Sequence, residues 1–308
     1  MTILLTGKSG QLGSHIRRLL GCYDQVIAVG REDLDLSDFS LLSHLLRQMP
    51  KLDLIVNTAA YTAVDQAEMD SNTAFAVNAA APAVLAEEAK RRDIPIIHFS
   101  TDYVFDGNQK VPYVEIDQPH PLSLYGQSKL EGECRIGETW RKHLIIRTSS
   151  MYHAMYDGFL ATMLKYAYSK KSPRVVNDQI ISPNYSVWIA QAVNHAIQNV
   201  ISHQRIEWGI YHLSGRGETH WYELARLIFE NVSKIEKAEL PVPIPVSSLE
   251  FGAKAQRPAY SVLNSTKFEQ VFQYSIPSWE EQFRLCMEDM VRHNNDESQP
   301  LDNHGEER

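Results

Sequence analysis

The chain has 308 residues, 44% of them hydrophobic and 22% charged, which is ordinary globular composition. A formal net charge of −8 argues against a partner that is nucleic acid or anionic membrane, while leaving room for a small anionic ligand held by a few local groups. The three cysteines, Cys22, Cys134 and Cys286, are scattered and form no CxxC pattern, and no apolar stretch approaches membrane-spanning length, so a soluble cytoplasmic protein is expected.

The chain opens directly on a strand-like run. Strands are expected at Ile3–Thr6, Val26–Val29, Leu54–Asn57, Ile94–Ser100 and Leu144–Arg147, all nearly continuous in Ile, Val and Leu, as strands buried on both faces are. Helical patterns over Gln11–Leu20, Phe39–Met49, Gln66–Arg92 and Leu124–Arg141 separate them. This alternation predicts an α/β fold, a Rossmann-like doubly wound parallel sheet. Past Arg147 the alternation loosens. Helices are expected near Phe159–Ser169, Val187–Val200 and Trp221–Val232, and Pro241–Pro245 reads as an extended linker. The division expected is a cofactor domain over 1–150, to which some later segments return, a smaller α/β substrate domain over 151–293 and a disordered polar tail over 294–308.

The first strand runs into Gly7-Lys-Ser-Gly10-Gln11-Leu12-Gly13, after which a helix begins. Glycines there permit a tight turn and close backbone approach, and the helix N-terminus offers N–H groups to a pyrophosphate, so a dinucleotide site is expected. An ordinary βα turn is the plainer reading, and a P-loop is excluded because no Gly-Lys-Ser/Thr closes the loop. Arg31, just past the second strand, lies where a 2′-phosphate would, which points to NADPH, with NADH as the other candidate. Asp35 and Leu36 follow as candidates for the adenine pocket, and the small residues of Asn57-Thr-Ala-Ala60 would let the cofactor approach the third strand.

Ser100-Thr101-Asp102-Tyr103 stands at the end of the fourth strand, where open α/β sheets bind ligands. Tyr125 and Lys129, four residues apart, share a helix face, and an ammonium beside a phenol favours its ionised form. Such a tyrosine can pass a proton to a carbonyl oxygen. His98, between Ile97 and Phe99, reads as a satisfied core residue, and Asp65, Glu68 and Asp70 as carboxylates complementing a helix N-terminus. Trp221, Leu224, Leu227 and Ile228 read as an apolar core face. No metal-ligand motif is present.

Together, Gly7–Gly13, Asn57-Thr-Ala-Ala-Tyr-Thr-Ala-Val-Asp-Gln-Ala-Glu68, Ser100–Gly107 and Tyr125-Gly-Gln-Ser-Lys129 resemble the extended short-chain dehydrogenase/reductases, and within them the dTDP-4-dehydrorhamnose reductase family. The resemblance runs to about Val291 and includes Arg147-Thr-Ser, Asn177-Asp-Gln179, Ser182-Pro183 and Arg257-Pro258. It implies that Tyr125 is the general acid, that Lys129 lowers its pKa and holds the nicotinamide ribose, and that Thr101 positions the substrate carbonyl. Gly10, Gln11, Leu12, Ala60, Tyr61 and Thr62 match cofactor-binding positions. Thr101 and Asp102 match positions that touch the sugar, and Ser150, Asn177 and Arg257 are assigned to the substrate. The implied reaction reduces the 4-keto group of dTDP-4-dehydro-L-rhamnose. A different nucleotide-linked 4-keto sugar, or a non-catalytic subunit on the same fold, are the alternatives. A homodimer is compatible with this reading. The chain departs from the family at Ser150, where a Trp is usual, at Ile181, where a Gly is usual, and over His153–Asp157.

Overall fold

The computed structural model describes residues 1–21, 25–202 and 206–297, with side chains as far as 292. The first half runs β1 (Thr2–Thr6), α1 (Gln11–Leu20), β2 (Gln25–Val29), α2 (Phe39–Gln48), β3 (Leu54–Asn57), α3 (Val64–Ala67), α4 (Ser71–Phe75), α5 (Ala81–Arg92), β4 (Ile96–Thr101), α6 (Leu124–Thr139) and β5 (His143–Thr148). The second half continues with β6 (Met151–Tyr152), α7 (Phe159–Tyr168), β7 (Arg174–Val176), β8 (Ile180–Ile181), β9 (Asn184–Tyr185) and α8 (Ser186–Ile201). It ends with β10 (Gly209–His212), β11 (Thr219–His220), α9 (Trp221–Glu236), β12 (Ile244–Val246), α10 (Ser248–Phe251), α11 (Thr266–Phe272) and α12 (Trp279–Glu297).

Six strands form one parallel sheet in the order β10-β5-β4-β3-β1-β2. The expected α/β class holds. Strand order reverses at β1, so a crevice opens at the carboxyl ends of β1 and β3, the position where such sheets bind ligands. The sheet is buried on both faces. Ile3, Leu5, Val56, Ile97, Leu144 and Ile146 pack toward α1, α7, α8 and α12, while Leu4, Ile55, Ile96 and Ile145 pack toward α2 and α5. Continuous apolar strands are what two covered faces demand.

Several expectations change. The single helix expected over Gln66–Arg92 is α3, α4, a π-helical turn at Ala76–Ala80 and α5. Pro82 explains the turn, because it has no N–H to return to the Asn78 carbonyl and the ladder must widen. The helix expected to reach Arg141 stops at Thr139, with Trp140 extended and its indole bonded to the Ile94 carbonyl at 2.7 Å. Strand β4 starts two residues later than expected, after Pro95. The Pro-rich linker is partly a strand, since Ile244–Val246 pairs with β7. Helix α12 runs to Glu297, past the expected start of the tail. The rest of the tail and Cys22 lie outside the described residues.

Candidate active site

The glycine loop is shaped by backbone contacts. Gly7 has φ +78°, a conformation that side chains disfavour, and its N–H bonds the Val29 carbonyl at 2.9 Å. A Cβ on Gly13 would lie 2.0 Å from the Gly7 carbonyl oxygen, so only glycine lets α1 start this close to β1. Gly10 is different: a Cβ there would meet nothing nearer than 3.5 Å. Gly10 is also the N-cap of α1 and lends it no side-chain cap. The first N–H groups of the helix therefore remain for a ligand, which is the cradle a pyrophosphate needs. Leu12 is buried beneath the loop, and Gln11 donates from Nε2 to the Asp157 carbonyl at 2.9 Å.

Around the end of β2, Arg31 is exposed, and Lys8, which the sequence reading passed over, ion-pairs with Asp33 at 2.5 Å and Glu32 at 3.2 Å. Asp33 also accepts from the Gly30 N–H at 2.8 Å. Asp35 spends its carboxylate on the Ser37 N–H and hydroxyl, and Leu36 is buried in the core. Ala60 is half-buried and Thr62 exposed, whereas Tyr61 is buried, its backbone held from both sides by the Asn78 amide at 2.9 and 3.0 Å.

Helix α6 is anchored at its start by the Ser123 cap and by Glu68, whose carboxylate accepts from the Leu124 N–H at 2.9 Å. Gly126 lets the helix close on the turn after β4, where an added Cβ would sit 2.3 Å from the Tyr103 carbonyl oxygen. Ser128 accepts from Asn78 at 3.0 Å and donates to the Tyr125 carbonyl at 2.7 Å. Every residue of the Tyr125–Lys129 motif except Gln127 thus has a positional reason. Asn78 was missed by sequence reading. Its signal lay in Pro82, which marks a break in the helix carrying it.

Tyr125 packs edge-on to Tyr103, with ring centroids 6.0 Å apart, and joins a small apolar cluster with Tyr61, Ala67 and Ala74. Burial pushes its phenol up to about 12, the Thr101 hydroxyl opposes this, and the Asp102 charge adds to it. The lowering expected from Lys129 is therefore not what this geometry delivers. Lys129 turns its amine to the Phe99 carbonyl, at 2.5 Å, and to His98, at 3.4 Å. Burial brings Lys129 down to about 8, with Glu133 working against it. Thr101 caps the following turn and donates to Asp102 at 3.0 Å. Asp102 also accepts from Ser149 at 2.9 Å, and burial raises its carboxyl to about 6 against these hydroxyls.

On the other wall, Arg257 is bound to Asp65 at 2.8 Å. Asp65 and Glu68 thus hold tertiary partners, beyond the helix-end role expected of them. Ser150 is half-buried and its carbonyl accepts from the Asn184 N–H at 2.8 Å. Asn177 is exposed beyond β7, its N–H bonded to the Val246 carbonyl. Of the side chains nearby in sequence, Tyr152 is buried against Tyr185, and Tyr156 bonds Ser14 at 2.6 Å. Ile181 is buried in β8, paired with β11. Among the described residues no cluster of three or more His, Cys, Asp or Glu could hold a metal ion. No helix there is long and apolar enough to cross a membrane.

A parallel sheet with a glycine cradle at its switch point, and a hydroxyl, a phenol and an amine beside it, defines a dinucleotide-dependent oxidoreductase. The comparison with known proteins narrows this. A family described as RmlD substrate binding domain matches residues 1–292. A dTDP-4-dehydrorhamnose reductase of Sinorhizobium fredii is 38% identical over 285 residues, 92% of this chain and 96% of that protein. The crystal structure of a dTDP-4-dehydrorhamnose reductase from Clostridium acetobutylicum superposes with a TM-score of 0.85 at 31% identity, covering 95% of this chain and 100% of that one. Another, from Bacillus anthracis and solved in complex with NADP, gives 0.82 at 31% identity over 95% of this chain and 99% of its own. The chain belongs to the RmlD family of reductases.

Proposed function

We propose that the chain reduces the 4-keto group of dTDP-4-dehydro-L-rhamnose to dTDP-L-rhamnose with NADPH. The observation that carries this reading is the set Thr101, Tyr125 and Lys129 at the carboxyl edge of β4, beside the glycine cradle. When bound, NADPH supplies the hydride to C4. The N–H groups of Gln11, Leu12 and Gly13 would hold its pyrophosphate, with Gly7 and Gly10 letting it come close, Ala60, Tyr61 and Thr62 would line its path, and Arg31 would read the 2′-phosphate. The Tyr125 phenol, pushed further up by burial, is protonated at neutral pH, the form required to give a proton to the C4 oxygen. The Thr101 hydroxyl, whose one proton goes to Asp102 here, would turn it to that oxygen when the sugar binds, and Asp102 would then accept from a sugar hydroxyl. Lys129 holds the nicotinamide ribose. Residues 1–150, with β10 and the later helices α7, α8 and α12 that pack on the sheet, form the cofactor half, the rest of 151–293 forms mainly the sugar half, and the enzyme works in the cytoplasm.

The small side chain of Ser150 supports a second reading, in which the substrate is another nucleotide-linked 4-keto sugar. NADPH oxidation with a panel of nucleotide-4-keto sugars separates the two. The first expects the highest kcat/KM with dTDP-4-dehydro-L-rhamnose, and a lowered KM for it in Ser150→Trp. A Ser150→Trp protein that folds but loses turnover would move the assignment to another sugar.

A further inference from the structure

Beneath the sheet's carboxyl edge, four buried polar side chains form a line that the reaction above does not use in full. Thr6 donates to Asn57 Oδ1 at 2.5 Å, Asn57 Nδ2 meets His98 Nδ1 at 2.9 Å, and His98 Nε2 lies 3.4 Å from Lys129 Nζ. None of the four residues is more than 2% exposed. Buried polar groups of this kind must each find a partner, so their donors and acceptors can be assigned by elimination.

The Ala59 backbone N–H, which can only donate, points at the same Asn57 atom as Thr6, at 3.3 Å. That atom is therefore the amide oxygen, and the NH2 group faces His98. His98 Nδ1 must then accept. A buried neutral imidazole has one proton, so it resides on Nε2 and points at Lys129. Burial and the nearby Lys129 both hold His98 well below its ordinary value, in keeping with the neutral ring.

An ammonium has no lone pair, so it cannot accept from the His98 N–H; a neutral amine can. The Phe99 carbonyl does not discriminate, because both forms of Lys129 can donate to it. We propose that Asn57 and His98 act as positioning residues that fix one histidine tautomer and thereby set how readily Lys129 gives up its proton. The charged groups around Lys129 are Glu133, one turn along α6, which favours the ammonium, and Arg147 of β5, which binds Glu133 at 2.6 Å. Asp102, in the turn after β4, acts on Tyr125. His98 is the neighbour whose own proton opposes that of Lys129. A lysine poised in this way can take up a proton as an anionic cofactor arrives and release it as the cofactor leaves.

The inference rests on the reading of Lys129 as a cofactor-side cation, and three measurements keep the two ideas apart. In the wild-type protein, imidazole 15N shifts assigned by loss of the signal in His98→Leu should show the proton on Nε2 at neutral pH. A proton on Nδ1, or on both nitrogens, overturns the proposal whatever Lys129 does. In His98→Leu the basic limb of the kcat/KM profile should move up by about one pH unit, the order of shift a single close neighbour produces. An unmoved limb overturns it too. If His98→Leu does not fold, His98→Gln and Asn57→Asp give the assignment and the shift. Retained turnover in Lys129→Met would instead overturn the catalytic reading of Lys129 and leave the tautomer result standing.

Discussion

The two walls of the cleft are built on different principles. On the cofactor side, Gly7 through Gly13 take their shape from backbone bonds within the β1–α1 turn and to the adjacent strand ends. On the side proposed for the sugar, side chains far apart in sequence meet: Asp102 with Ser149, and Arg257 with Asp65. A wall made of local backbone tolerates little change at its glycines. A wall made of paired side chains can be retuned by single substitutions.

The largest effect is expected between the two walls, at Tyr125. Tyr125→Phe should lower kcat by about 10²-fold or more while NADPH still binds, given the usual size of general-acid effects. Turnover near that of the wild type would show that the proton comes from elsewhere.

Asp102 gives the next effect, on the sugar wall, and it depends on pH. Its carboxyl is raised from 3.8 to about 6 by burial. A carboxyl raised in the folded state helps folding below its unfolded value and loses that help as pH rises through the folded one. Wild type should therefore weaken between pH 4 and 6 relative to Asp102→Asn, by up to roughly 3 kcal/mol at 1.36 kcal/mol per unit. Denaturant unfolding of both proteins at pH 4 and pH 8 measures the difference. A constant gap across that range would show that Asp102 is not held protonated by burial.

The cofactor wall can be split by its own glycines. Gly13→Ala must push a Cβ into the Gly7 carbonyl and should destabilise the fold by about 1–3 kcal/mol, as overpacking does. A Cβ at Gly10 comes no nearer than 3.5 Å to the Gly7 carbonyl oxygen, an ordinary contact, so Gly10→Ala should leave the fold within about 0.5 kcal/mol of wild type. It should instead weaken NADPH, because the backbone at this position approaches the pyrophosphate. Thermal unfolding beside an NADPH titration checks both. Equal behaviour of the two variants would undo the division of roles.

This contrast also explains what the sequence revealed. The glycine cradle and the strands β1 to β5 were legible because one run of chain carries each of them. Helix spacing put Tyr125 and Lys129 on one face, but that spacing, common by chance on a solvated helix face, gained meaning only beside the glycine loop and the Ser100–Gly107 block. The direction in which Lys129 turns was not, because it is decided by His98 and the Phe99 carbonyl on a strand thirty residues away in sequence. Asn78 was hidden for a similar reason: its partners Tyr61 and Ser128 are 17 and 50 residues off. Asp65 and Glu68 looked like helix-end carboxylates, and only the folded chain brings Arg257 and the start of α6 to them.

The smallest expected effect tests whether the paired side chains of the sugar wall are as adjustable as they look. Asp65 and Arg257 join α3 to the segment after α10 across 192 residues of sequence. The Asp65 side chain is 44% exposed and that of Arg257 20%, so solvent screens much of the attraction. Arg257 nonetheless holds the Asp65 carboxyl below its usual range, and a depressed carboxyl lends stability above its unfolded pKa that is lost as pH falls through the folded one. A double-mutant cycle of Asp65→Ala and Arg257→Ala should give a coupling of about 0.5–1 kcal/mol at pH 7, fading toward pH 3. The same variants separate fold from function. If Arg257 also serves the nucleotide sugar, Arg257→Ala should raise the substrate KM several-fold, whereas Asp65→Ala, which leaves the guanidinium in place, should raise it less. Equal increases would mean that the ion pair matters only as a brace between α3 and the later segment. The sugar wall would then be as rigidly specified as the cofactor wall, by side chains where the other uses backbone.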